Sequence, residues 1–263
     1  MGKSKRQIRV ALVQFETVDG EVKRNFQTLE RLLKKIKGPV DLIVLPEMWP
    51  SGFRVIEGKA LLRETHQALK ELKTFVVKKK CYLIGSHLTG GSKGFHNTAT
   101  VLGPQGRIIG EYHKVHLFQL GREDKTFLPG KKAVVVKTDL ASLGLSICYD
   151  IRFPELLRKE ILSGAQILVI PSAWPKERID HYLSLLKARA IENLCYVVSA
   201  NKVGKNALKM TYGGHSVAYD PWGRNLGELG EKEGILRVTL DLELLRKTRR
   251  SFPVFEARRE EVY

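Results

Sequence analysis

Apolar positions along this chain change period several times, and each change marks an element. Residues 9–15 alternate and read as a strand. Residues 25–36 place Phe26, Leu29, Leu32, Leu33 and Ile36 on one helical face, and the pattern stops at Gly38-Pro39. The run Asp41-Leu42-Ile43-Val44-Leu45-Pro46 has no alternation inside it, which predicts a strand covered on both faces. A second amphipathic helix is predicted over 60–79 and a strand over 81–87. Residues 97–102 and 107–113 flank Gly103-Pro104-Gln105-Gly106, a hairpin signal. Further strands are predicted at 134–136, 143–147, 166–170, 196–200, 214–219 and 234–240. Helices are predicted over 154–164, 177–193 and 242–250, the last followed by an extended tail.

Helices and strands alternate, but hairpins interrupt the alternation. The pattern predicts an α/β fold, a layered sandwich with mixed sheets rather than a purely parallel barrel or a doubly wound sheet. The 263 residues, 43% of them hydrophobic, suit one domain over 1–263 better than two. No internal repeat, low-complexity segment or linker is read from the chain.

Lysine and arginine number 45 against 28 acids, a formal net charge of +17. Such a balance raises nucleic acid or an anionic membrane as partners. The basic residues are interleaved with acids, as in ETHQALKELK and EARREE, and no nucleic-acid-binding motif accompanies them. Most of the charge therefore reads as solvated surface, and neither nucleic acid nor membrane is expected as a partner. Abundant Lys and Glu also suit a thermophile, and a positive field would help draw in an anionic substrate. No apolar run approaches the ~18 residues that span a bilayer. The apolar segment after MGKSKRQ is too short for a signal peptide, and Arg6 breaks the myristoylation pattern, so a cytoplasmic location is expected. The three cysteines, Cys81, Cys148 and Cys195, show no CxxC spacing, and HExxH is absent. No metal, cofactor or disulfide framework is expected. Cys81 and Cys195 each open an apolar run and read as core.

Cys148 is different. It ends the run Leu143 to Ile147 and precedes Tyr149-Asp150-Ile151-Arg152-Phe153-Pro154-Glu155, where Pro154 and Glu155 suit a helix start. A thiol at a strand-to-helix turn is placed at the end of a sheet, beside backbone N–H groups that receive an anion. The alternative is a small buried hydrophobe. Glu47 ends the covered strand DLIVLP, where desolvation suits a general base; its alternative is an acid capping the next turn. Lys114 follows IIGEYH and precedes Val115-His116-Leu117-Phe118, with a snorkelling lysine as the alternative. Neither His113 nor His116 is assigned a role. Glu123, in GREDKTFLPG, lies nine residues beyond Lys114, with a solvated loop acid as its alternative. Glu, Lys and Cys at the ends of three apolar strands have a joint chemical meaning. The thiol attacks an electrophilic carbon, the carboxylate moves its proton to the leaving amine, and the ammonium steadies the oxyanion.

These stretches resemble the carbon–nitrogen hydrolases of the nitrilase superfamily, in order and over essentially the whole chain. LPEMW resembles the family's glutamate motif, EYHKVHLF its lysine motif and SICYDIRFPE its cysteine motif. EDKTFLPG resembles the segment with a second, assisting glutamate, which maps to Glu123. PSAW at 171–174, RAIENLCYVVSAN at 189–201, GGHSVAYDPWG and the tail RRSFPVFEARREEVY resemble later blocks. The resemblance implies a four-layer α-β-β-α sandwich and a homodimer or higher homo-oligomer, with the tail 251–263 reaching over the partner. A tail packed on its own subunit, or frayed, is the alternative. Cys-Tyr-Asp-Ile-Arg-Phe-Pro resembles the ω-amidase and deaminated-glutathione-amidase branch. There Arg152 would hold a substrate carboxylate bidentately, unless Asp150 or Glu155 pairs with it. Tyr149 and Trp174 are the other expected substrate-binding positions, and the Tyr149 backbone N–H is a further oxyanion donor.

The implied activity is hydrolysis of the terminal amide of a small carboxylate-bearing substrate, with Cys148 as nucleophile, Glu47 as base and acid, and Lys114 as oxyanion stabiliser. Glu123 would position or neutralise the lysine. The same motifs leave open an N-carbamoyl amino acid, another linear amide or a nitrile as substrate, and acyl transfer to an amine in place of water. A basic polyanion-binding protein with a vestigial site is the reading from a different class.

Overall fold

The computed structural model describes residues 7–53 and 58–262. In chain order the elements are β1 (Gln7–Gln14), α1 (Val22–Leu33), β2 (Leu42–Val44), α2 (Gly58–Lys79), β3 (Tyr82–Gly91), β4 (Gly94–Leu102) and β5 (Ile108–His113). Then come β6 (Val135–Lys137), β7 (Ser142–Leu145), α3 (Pro154–Leu162), β8 (Ile167–Pro171), α4 (Ile179–Glu192) and β9 (Tyr196–Ala200). The chain closes with β10 (Val217–Tyr219), β11 (Asn225–Glu228), β12 (Gly234–Asp241) and α5 (Leu242–Ser251).

The strands form two six-stranded sheets, ordered β12-β1-β2-β3-β4-β5 and β11-β10-β9-β8-β7-β6. Both are mixed: β1, β2 and β3 are parallel, as are β7, β8 and β9, and the flanking pairs are antiparallel. The period-two pattern of β1 explains the layering. Ile8, Val10 and Leu12 share a core with Leu143, Leu145 and Val197 of the second sheet, while Ala11, Val13 and Phe15 pack with Leu29 and Leu32 of α1 and Leu69 and Leu72 of α2. Leu157 and Ile161 of α3 and Tyr182 and Leu186 of α4 join the core of the second sheet. The result is helix, sheet, sheet, helix. Each large aliphatic side chain taken fully inside contributes roughly 1.5–3 kcal/mol. The uninterrupted runs LIV of β2 and ILVI of β8 lack alternation because both of their faces are covered.

The two sheets are built alike. The order β1-α1-β2-α2-β3-β4-β5 is repeated by β7-α3-β8-α4-β9-β10-β11, and each sheet gains one strand on its outer side, β12 beside β1 and β6 beside β7. The registers match: Leu42 pairs with Val10 and Tyr82, and Ile167 pairs with Leu143 and Tyr196. Short sequence echoes fall in register. Cys81-Tyr82-Leu83-Ile84 corresponds to Cys195-Tyr196-Val197-Val198, and Gly103-Pro104-Gln105-Gly106-Arg107 to Asp220-Pro221-Trp222-Gly223-Arg224. The residues before the two cysteines, Lys80 and Leu194, both have positive φ, 52° and 41°. A repeat is therefore present where none was read from the sequence. Its echoes are only four or five residues long, and strand register is what aligns them.

Several boundaries differ from the periodicity. The glycine-rich turn between β3 and β4, with Gly90 at φ +117° and Gly94 at φ +126°, lets both strands run further than the apolar pattern does. Helix α1 begins at Val22 and stops at Leu33. β11, with an exposed NLGE sequence, carries no apolar signal. β5 is an edge strand with Tyr112 as its one buried residue, not an apolar covered strand. Beyond α5, the Phe252 ring stacks on Trp222, and Phe255 lies under the guanidiniums of Arg158 and Arg249. Residues 1–6 and Tyr263, the ends of the basic N-terminal stretch and of the tail, lie outside the described residues.

Candidate active site

Strand ends supply the three reactive side chains. After β2, Leu45 donates its N–H to Ile84 O (2.7 Å), and Pro46, lacking an N–H, ends the ladder. Glu47 then donates its N–H to Ser172 O (3.2 Å) in the turn after β8, and Met48 takes φ +45° with its N–H on Ser86 Oγ (2.8 Å). Lys114 follows β5 and is fixed by its backbone, with N–H to Asn97 O (2.9 Å) and its carbonyl accepting from Gly130 N–H (2.7 Å). Cys148 follows β7 at φ +45°, a left-handed conformation that costs a non-glycine residue about 1–2 kcal/mol. A 3-10 turn, Cys148–Arg152, links the sulfur to α3, which starts at Pro154 as the sequence predicts. Asp150 winds this turn by accepting the Ile147 N–H at 2.8 Å.

These ends converge. Lys114 Nζ donates to Glu47 Oε1 at 2.7 Å and to Glu123 Oε1 at 2.8 Å, with all three side chains buried. Asn97 Nδ2 donates to the same Glu47 oxygen at 2.7 Å, and the Phe118 N–H holds Glu123 Oε2 at 3.1 Å. The Cys148 thiol faces Glu47, Lys114 and the Ala173 backbone N–H, and only 7% of the residue is exposed. Asp150 braces the Cys148 turn against the lysine segment. It accepts from Tyr112 Oη (2.7 Å) and from the His116 N–H (3.0 Å), and sits 2.8 Å from His116 Nδ1. His116 also stacks on Phe153, so its place is in the scaffold.

Electrostatics give these groups different states. Burial pushes the Cys148 thiol well above its ordinary range, and the charge and hydrogen-bonding oxygen of Glu47 push the same way, against Lys114 and the Ala173 N–H. The resting sulfur is therefore a protonated thiol that needs a base. Burial works against the Lys114 ammonium, but Glu123, Glu47 and the Cys148 sulfur outweigh it, and its pKa stands well above the usual value. Burial raises Glu123 to about 7, with Glu47 adding to the rise and Lys114 opposing it.

The triad lies in a cavity of about 560 Å³. Tyr149, Trp174 and Arg152, the three expected substrate positions, all line it. Phe118 and Tyr149 are 5.1 Å apart at their centroids and form one wall. Trp174 stands on another, its Nε1–H donating to Arg178 O at 2.7 Å. Arg152 lies 4.9 Å over the Trp174 ring with one N–H toward His181 Nδ1 (3.3 Å), and it pairs with neither Asp150 nor Glu155. Among the described residues, Arg122, Arg152 and Arg178 all border the cavity without a carboxylate partner. Among the described residues, no group of three or more His, Cys, Asp or Glu is arranged to hold a metal, and no helix is long and apolar enough to cross a membrane.

Sequence reasoning missed Asn97, Asp150, Arg178 and Lys202. Lys202 is fully buried, and its Nζ donates to Met48 O at 3.3 Å. The clue to Asn97 was its place at the base of the predicted hairpin. The clue to Lys202 was its position just beyond an apolar strand, the same clue that marked Glu47 and Cys148.

Comparison with known proteins agrees with this geometry. The family model "Carbon-nitrogen hydrolase" matches residues 9–250. A 2-oxoglutaramate amidase of Bacillus subtilis (strain 168) is 38% identical over 261 residues, covering 97% of this chain and 98% of that protein. The omega-amidase NIT2 of Danio rerio is 30% identical over 272 residues, covering 97% and 96%. A crystal structure of a CN-hydrolase superfamily protein from Xanthomonas campestris superposes with a TM-score of 0.87 at 27% identity, covering 96% of this chain and 97% of that one.

Proposed function

The chain belongs to the carbon–nitrogen hydrolase family and is an amidase, and from that premise we propose that it hydrolyses the terminal amide of a small 2-oxo-dicarboxylic acid monoamide through a Cys148 thioester. One observation carries the reading. A protonated thiol, a base and a doubly held ammonium share the floor of a cavity whose wall offers an unpaired guanidinium, Arg152.

Glu47 takes the Sγ proton as sulfur attacks the amide carbon. The oxyanion is met by Lys114 Nζ and the Tyr149 backbone N–H. Glu47 passes its proton to the nitrogen, which leaves as ammonia. Water then attacks the thioester while Glu47 takes its proton, the acid is released and Cys148 recovers its hydrogen. Glu123 holds Lys114 on the line of the developing charge throughout. Arg152, over the Trp174 ring, grips the substrate carboxylate with two parallel N–H bonds. The names of the relatives from Bacillus subtilis and Danio rerio support this choice of substrate class.

Ammonia release tests the reading, with wild type beside Cys148→Ala and Arg152→Ala. The panel holds a 2-oxo-dicarboxylate monoamide, an N-carbamoyl amino acid, a plain aliphatic amide and a nitrile. The expected result is release from the first, abolished by Cys148→Ala and weakened by Arg152→Ala through a KM about tenfold or more higher. Release from the carbamoyl compound or nitrile alone would overturn the substrate.

The reading includes assembly at least as a homodimer, with the tail 251–263 at the interface. Its support is the stacked pair Trp222 and Phe252, 43% and 52% exposed on a single chain. A monomer by light scattering, unchanged on dilution, would refute it.

A further inference from the structure

Among the described residues, Lys202 is the one fully buried cation that the mechanism above leaves unused. It lies two residues beyond β9, and its side chain has no exposed surface. Its Nζ donates to Met48 O at 3.3 Å and lies 5.1 and 5.6 Å from the ring centroids of Phe53 and Tyr212. No carboxylate among the described residues forms an ion pair with it. An ammonium removed from water without a direct ion pair is expensive, and such residues are rarely kept for packing alone.

The internal repeat sharpens the point. Seven residues after the cysteine that opens the third strand, the first half carries Leu88 and the second Lys202. Leu88 is also fully buried. The frame at this position thus accepts an apolar side chain, and the second half departs from it with a cation aimed at the turn that holds Glu47. That turn is strained: Met48 is at φ +45°, its N–H is held by Ser86, and its carbonyl receives the Gly52 N–H (2.9 Å) as well as Lys202.

We propose that Lys202 is a positioning residue for the amide hydrolysis: its ammonium clamps the Met48 peptide, and through it Glu47, and supplies a second positive charge as thiolate and oxyanion form. This rests on the thiol-amidase reading. The charged and titratable groups around it are Asp19, Glu47, Cys148 and Tyr212, whose ring the ammonium overlies. Burial lowers Lys202 to about 8, against the attraction of Asp19, Glu47 and Cys148. The clamp is therefore charged below that pH and lost above it, which gives the role a pH signature.

The test measures kcat and KM against pH for wild type, Lys202→Met and Lys202→Arg, with thermal melts of each. A second arm measures alkylation of Cys148 by iodoacetamide, without substrate. Lys202→Met should lower kcat about tenfold with KM within about twofold, because Lys202 is not on the cavity wall. Lys202→Arg should restore most of kcat and move the descending limb from near pH 8 upward, since guanidinium keeps its charge. Alkylation should slow in Lys202→Met and recover in Lys202→Arg. Wild-type kcat and pH limb in a folded Lys202→Met would overturn the proposal. If Lys202→Met does not fold, Lys202→Arg decides: an unmoved limb with wild-type alkylation overturns it. Failure of the amidase reading is visible separately, as a wild type that releases no ammonia while the alkylation arm still reports on Lys202.

Discussion

The two halves of this molecule share a frame and differ in what stands at its strand ends. Leu45-Pro46-Glu47-Met48-Trp49 leaves β2, and Ile170-Pro171-Ser172-Ala173-Trp174 leaves the matching β8. Where one half presents the Glu47 carboxylate, the other presents Ser172, whose carbonyl accepts the Glu47 N–H. Where the second half presents Cys148 after β7, counting from the paired positions Val10 and Leu143 gives Phe15 in the first. In the proposed mechanism one half supplies the base and the oxyanion cation, the other the nucleophile and a substrate wall with Trp174 and Arg152. The frame fixes where side chains converge, and a few substitutions at those places decide whether convergence has chemistry.

The most damaging way to erase the difference is Glu47→Ser, which gives the first half the second half's residue. Turnover should fall by about a thousandfold or more, read as kcat for ammonia release, because a protonated thiol is left without its proposed base. Measurable activity within tenfold of wild type would place the base elsewhere.

Next in size is Asp150→Asn. It removes the charge that accepts from Tyr112, His116 and Ile147. Loss of buried, charged hydrogen bonds should lower stability by about 2–4 kcal/mol and kcat more than KM. Denaturant titration with kinetics on the folded fraction separates the two effects.

The periodic pattern singled out Glu47 and Cys148, because a reactive side chain at the end of an apolar run stands out against its neighbours, whereas Lys114, which they meet, follows the mostly exposed edge strand β5. The layered, mixed sheets were legible in the same way, from hairpins set among alternating helices and strands. What stayed hidden depends on distance along the chain. Asn97 reaches Glu47 across 50 positions and Lys202 reaches Met48 across 154, and neither carries a local mark of its partner. Asp150 was visible only as a possible partner of Arg152, whereas its hydrogen bonds go to the lysine segment. The repeat hid because what is duplicated is strand order and register, and β-sheets preserve those through wide changes of side chain.

A smaller effect sharpens the comparison of buried acids. Asp41 in the first half is paired with Arg9. Glu160 in the second is fully buried, with Ser146 on one oxygen and none on the other. Burial raises its pKa well above 4.5, so it is neutral when folded. An acid that ionises on unfolding favours the folded state least at high pH: its contribution is full below 4.5 and declines as pH rises toward the folded value. Glu160→Gln should therefore melt higher than wild type at pH 7, with the gap closing as pH approaches 4.5. A gap constant with pH would show that Glu160 does not change protonation on unfolding.

The smallest expected effect is a matched pair. Cys81→Ala and Cys195→Ala remove equivalent buried thiols, and each should cost about 1–2 kcal/mol in stability while leaving kcat unchanged. Unequal costs would measure how far packing has drifted between the halves.

The closing strand has a consequence for synthesis. β12 pairs with β1 over eight residues, from Gln7 opposite Asp241 to Gln14 opposite Gly234. β1 thus leaves the ribosome more than two hundred residues before its outer neighbour. Until then β1 presents an open row of backbone donors and acceptors, a template for strands of other chains. A chain truncated before residue 234 would keep Glu47, Lys114, Cys148 and Lys202 in its sequence, yet carry that open edge permanently. Its expected fate is aggregation during growth rather than a weakened enzyme.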